Sequence, residues 1–108
     1  MTFEQWSETA EHTFAAEFGR GGRNQRHGYA FPNGLNVIEE TIFPHNVFKP
    51  VRVQVCLDRC YPGDDLPDLG CQWEEDPYAE DGIFRPWFEG EGAMREAWNL
   101  AEKIGGAM

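Results

Sequence analysis

Nineteen acidic side chains against nine basic ones leave this 108-residue chain at −10, with a pI near 4.6, while 41% of its residues are hydrophobic. That length supports one small core, a single acidic domain over residues 1–108, and that charge repels nucleic acid and anionic membranes, so neither is an expected direct partner. No run is apolar enough to cross a bilayer, Met1-Thr2-Phe3-Glu4 lacks the basic and apolar regions of a signal peptide, and three cysteines are an odd number that opposes a secreted disulfide framework; a soluble, cytoplasmic protein is expected.

Thr2 opens the first helix. With Gln5 it fits the capping box, in which each side chain satisfies an orphan amide of the first turn. Phe3, Trp6, Ala10, Phe14 and Phe18 recur at helical spacing, so the helix is expected to run to Gly19, its stripe packed into the core. The segment from Gly19 to Gly28 carries Arg20, Arg23 and Arg26. It lacks the lysine and hydroxyl of a phosphate-binding loop and reads as a solvated basic connector whose arginines pair with nearby carboxylates.

Tyr29 to Phe31, the turn Pro32-Asn33-Gly34, and Leu35 to Ile42 read as a β-hairpin, because Asn-Gly supplies the positive φ of a tight turn. Phe43 to Pro50 is a linker. Val51, Val53, Val55 and Leu57 then alternate with Arg52, Gln54 and Cys56, and this alternation predicts a strand with one apolar face at the centre of the sheet.

Asp58 to Gly70 holds turn formers and reads as loop. Cys71-Gln72-Trp73 predicts a short strand, and Asp81-Gly82 a second hairpin turn leading into Ile83 to Phe88. Pro86 cannot donate to a ladder, which argues for an edge or a bulge there. Glu91 to Ile104 predicts the closing helix, with Met94, Ala97, Trp98, Ala101 and Ile104 on its apolar face and Gly105-Gly106 at its end. The expected fold is α+β: an N-terminal helix, an antiparallel sheet of four to five strands built from two hairpins and a central strand, and a C-terminal helix.

Catalytic and metal chemistry find little support. Cys56 and Cys60 are spaced C-x3-C, and Cys71 with His27 or His45 would complete four ligands, but structural zinc usually draws on two short pairs. A calcium-loop frame with Gly82 at its sixth position puts Pro77, Ala79 and Phe88 at ligand positions, and none of them can serve. The only serine is Ser7, His12 lies on the same expected helix, and no nucleophile elbow or dinucleotide fingerprint is present. No cofactor is implied.

What remains is the charge. From Asp58 to Glu91 there are eleven acids and only Arg59 and Arg85 as bases, so nearly all of the net charge belongs to this segment. Interleaved aromatics supply anchoring area, and carboxylates steer approach to a basic partner. The expectation is a non-enzymatic inhibitor or adaptor that docks on a basic, nucleic-acid-binding surface of another protein. Its expected contacts are Asp64, Asp65, Asp68, Glu74, Glu75, Asp76, Glu80 and Asp81, with Trp73 and Tyr78 as anchors. In size and charge, though not in any motif, the chain resembles the acidic nucleic-acid mimics that phages direct against bacterial defence, anti-CRISPR proteins among them. The alternatives are a small enzyme or ligand-binding domain with a pocket on the sheet, and a zinc-stabilised module. The sequence sets no oligomeric state.

Overall fold

The computed structural model describes residues 1–44, 48–77 and 79–108. Its fold is α+β, in the order α1 (Phe3–Thr9), β1 (Phe14–Phe18), β2 (Asn24–Ala30), β3 (Asn36–Ile42), β4 (Arg52–Leu57), β5 (Tyr61–Pro62), β6 (Gln72–Glu75), β7 (Ile83–Glu89) and α2 (Ala93–Gly105). All pairings are antiparallel. The sheet runs β1-β2-β3-β4-β7, with β5 sharing the β4 side of β7 and β6 on its other side. Seven strands thus stand where four to five were expected.

The capping box forms as the sequence indicates: Gln5 N–H donates to Thr2 Oγ1 at 3.2 Å, and Thr2 N–H to Gln5 Oε1 at 2.9 Å. The helix stops at Thr9, however, and Phe14–Phe18 is a strand. A separation of four residues suits both periods, one helical turn or two strand repeats, so Phe14 and Phe18 share a face either way. Pairing with β2 decides for the strand, and Phe14 stacks where Gly28 leaves space. The expected basic connector is likewise mostly β2, joined to β1 by a short helical turn at Arg20–Gly22.

Both helices lie on one face of the sheet. Trp6 from α1 and Trp98 from α2 meet Phe31 in an aromatic cluster, with ring centroids 4.9–5.6 Å apart. Val37, Val55 and Leu57 form its floor, and Ala93, Ala97 and Ala101 let α2 lie close across β4 and β7. The Trp6 indole N–H donates to the Ala30 carbonyl at 3.0 Å, which ties α1 to the sheet. Asn33, in the β2–β3 turn, donates to the carbonyls of Ala101 and Gly106 and so satisfies the end of α2. β4 is interior as expected, but Val51 lies outside it and is 67% exposed.

β7 is interior too, not an edge. The irregularity that Pro86 demands is carried by its neighbour: five steps from Cys56 to Tyr61 match three from Trp87 back to Phe84, so two extra residues loop out opposite Arg85 and Pro86. Among the described residues no helix is long and apolar enough to cross a membrane.

Candidate functional site

The looped-out residues between β4 and β5 shape the acidic end of the molecule. β5 pairs Tyr61 with Phe84 and Pro62 with Ile83. The Gly63 N–H then donates to the Gly82 carbonyl at 2.7 Å, which places the helical turn Gly63–Asp65 against the β6–β7 turn. A side chain at position 63 would meet the Phe84 ring at 2.8 Å and the Gly82 carbonyl at 3.1 Å, so this approach requires glycine. Two neighbouring segments of the chain are brought together: Asp58, Asp64 and Asp65 from one, Glu74, Glu75, Asp76, Glu80 and Asp81 from the other.

These eight carboxylates do not share one role. Glu74 turns onto the helix-free sheet face, where it accepts the Cys56 Sγ–H at 2.9 Å and an Arg85 N–H at 3.5 Å. Glu75 accepts the Gly82 N–H at 3.1 Å, and Asp76 accepts the Cys60 Sγ–H at 3.4 Å. Asp64, Asp65, Glu80 and Asp81 are exposed, and no described residue bonds to their carboxylates. Asp68 is exposed in the connection between Asp65 and β6, whose Leu69 packs against the core. Trp73 is half-buried, with its ring edge-on to Tyr61 at 5.4 Å, so one side of it remains accessible. Tyr78 lies outside the described residues. Eight acids less Arg59 and the buried Arg85 leave this end at −6.

The helix-free face holds a polar chain that sequence reasoning missed. Glu40, 6% exposed, takes N–H bonds from Arg26 at 2.9 Å on one oxygen and from Gln54 on the other. Gln54 in turn accepts the Trp87 indole N–H at 3.2 Å. Arg26 covers the Phe18 ring and Arg52 the Trp87 ring. Arg85 is 3% exposed, and its Nε has no hydrogen-bond partner. Alternating polar residues on β2, β3 and β4 are the only sequence signal for this layer.

The cysteines do not converge. Cys56 faces the polar layer, Cys60 is exposed at the acidic end, and Cys71 packs against the core beneath α2. All three are free thiols. Burial, and then the hydrogen bond to Glu74, pushes the Cys56 thiol far up. Burial and Asp76 raise Cys60, and burial raises Cys71. Among the described residues no three His, Cys, Asp or Glu side chains are grouped to hold a metal ion. His45, weighed as a fourth ligand, lies outside them.

A groove of about 610 Å³ lies at the far end of β7, away from the acidic cluster. Phe3, Val51, Val53 and Met94 make it largely apolar, and its arginines are already paired, Arg52 with Glu89 and Arg95 with Glu4, both within 2.9 Å. Among the described residues no histidine, cysteine or serine lines it.

The opposite sheet edge carries the other sign. Arg20 and Arg23 flank a shallow hollow beside Asn24 and Phe43, next to β1 and β2. Five strand spacings of about 4.8 Å put this edge roughly 24 Å from β6, so the arginines do not fold over the acidic end. Comparison of the chain with protein-family models, with curated proteins and with solved structures finds no match in any of the three.

Proposed function

We propose that this protein is a non-enzymatic binding protein, an inhibitor or adaptor that docks its acidic end on a basic, nucleic-acid-binding surface of a partner and occupies it in place of nucleic acid. One observation supports the reading above others: the turn at Gly63–Asp65 and the β6–β7 turn are folded against each other into a single end of charge −6, while Arg20, Arg23 and Arg26 belong to the opposite edge. Exposed carboxylates on short turns present fixed negative charge much as phosphates do. In a surface of this kind, charge sets encounter rate and specificity, and an adjacent aromatic, here Trp73, contributes anchoring area. Free thiols at Cys56, Cys60 and Cys71 suit the reducing cytoplasm, where we place it.

The test is competition. Basic nucleic-acid-handling proteins captured from the host should lose bound DNA or RNA when the protein is added, and capture should weaken as salt rises. A variant carrying Asp64→Asn, Asp65→Asn, Glu80→Gln and Asp81→Asn should fold normally and fail to compete. Salt-independent capture, or a variant that competes as well as the parent, would overturn the proposal. A second reading, a ligand-binding domain, rests on the apolar groove, whose volume falls in the range of small-molecule sites; filling it with Val53→Trp would abolish function on that reading and leave competition intact on ours.

A further inference from the structure

The two edges of the sheet are built differently. β6 is four residues long, carries Glu74 and Glu75, and is followed by Asp76 and Pro77. Short length, charge and proline are the usual guards against edge-to-edge pairing. β1 is less guarded, its one charge being Glu17. It is five residues long, Phe-Ala-Ala-Glu-Phe, contains no lysine or proline, and pairs only with β2. Phe14 is 43% exposed, and Ala15, Ala16 and Glu17 are exposed as well. Nothing among the described residues occupies its outer edge.

We propose that β1 joins β1 of a second copy, antiparallel, about a twofold axis through Ala16, making one sheet continuous through both chains. The sequence of β1 is complementary to itself in this register. Phe14 meets Phe18 of the other copy at two symmetric places, on the face where Arg26 already covers the Phe18 ring. Ala15 meets Glu17, so no like charges face each other. The location also fits the charge. Two chains of −10 repel, but at this edge Arg20 and Arg23 stand against Glu17, a local +1, since Arg26 is already neutralised by Glu40. Joining here sends the two acidic ends outward, separated by about 50 Å on the ~4.8 Å strand spacing. That is several Debye lengths of about 8 Å, so their mutual repulsion is screened at physiological salt. Five residues a side make a small interface, below the ~1,200 Å² of a standard stable one, which implies a concentration-dependent equilibrium.

Sedimentation velocity of the full chain over a concentration series tests this. The mass should move from 12.4 kDa toward twice that value as concentration rises. Ala15→Lys places a lysine opposite Glu17 at both symmetric positions and should tighten the dimer about threefold to tenfold. Ala15→Glu should loosen it by a similar factor, and Ala16→Lys, which sets two lysines on the axis, should leave a monomer. These positions are exposed, so circular dichroism should show an unchanged fold. Hydrogen exchange on the unmodified chain gives an independent reading: β1 amides should gain protection with concentration while β6 amides do not. A chain that stays at 12.4 kDa at the highest attainable concentration overturns the proposal, including the case in which β1 accepts only a strand from a different protein. A dimer indifferent to all three substitutions, with no added protection in β1, overturns it equally.

Discussion

Replacing Glu40 by alanine tests whether the polar layer holds the helix-free face together. The carboxylate is almost out of solvent and takes two N–H bonds from Arg26 on one oxygen and one from Gln54 on the other. Truncating one member of a buried pair strands the other's charge and typically costs 3–5 kcal/mol, about 3 at the low end where the survivor can reach water. The Arg26 side chain retains 18% exposure and the Phe18 face beneath it, so the lower figure applies. Against a total stability of about 5–15 kcal/mol for a domain of ordinary size, that loss is large. Urea unfolding measures it. A cycle of Glu40→Leu, Arg26→Met and the double variant carrying both separates pairing from packing. The double variant should recover much of the loss, because two apolar side chains leave no orphaned charge. If Glu40→Ala costs less than about 1 kcal/mol, or the two single effects simply add, the layer is not a coupled network and the account given of it is wrong.

Two further outcomes follow from individual side chains. At Gly28 a methyl group would lie 2.2 Å from the Phe14 ring, so Gly28→Ala should displace β1 at a cost of about 1–3 kcal/mol and speed hydrogen exchange at residues 14–18; unchanged exchange there refutes the packing described. The Cys56 thiol is raised above its ordinary 9.0 by burial and by its bond to Glu74, so the folded state holds its proton where the unfolded chain releases it. Stability from this group is therefore intact below pH 9 and declines as pH rises past it, by at most about 1.4 kcal/mol per unit. Cys56→Ala should flatten that decline, measured as urea midpoints on either side of pH 9, and a slope identical to the parent's counts against the buried thiol.

How much of this could be read from the chain depends on how local each determinant is. The Thr2–Gln5 capping box, the Asn33-Gly34 turn and the apolar face of α2 rest on contacts within a few residues, and they form as expected. The Phe14–Phe18 strand does not, because a spacing of four satisfies two periodicities and only the partner strand selects one. β2 was legible only at Tyr29 and Ala30, for a related reason. Arg26 serves a buried network whose other members, Glu40 and Gln54, come from β3 and β4, and Asn24 accepts the Phe43 N–H of the chain beyond β3. Pro86 indicates an edge or a bulge, and the irregularity is there, but in the neighbouring chain segment rather than in β7 itself. The acidic segment was plain as composition. Its gathering was not, since it depends on a two-residue strand and on a close approach at Gly63.

The register of β6 explains why the acidic end divides into two kinds of carboxylate. Glu74 pairs in register with Arg85, so it faces the polar layer, while Glu75 faces the other way and reaches the Gly82 amide across the turn. Asp76 closes the ladder through its own N–H to Ile83 and takes the Cys60 thiol. These three acids build the platform, and their hydrogen bonds offset part of the repulsion that concentrating charge creates. Asp64, Asp65, Glu80 and Asp81 ride on the tips of that platform with no described partner, so their repulsion is relieved only by solvent, salt or an incoming cation. On the docking proposed above, that repulsion would be relieved by the basic surface, which would raise the gain from meeting it and make the gain depend on salt.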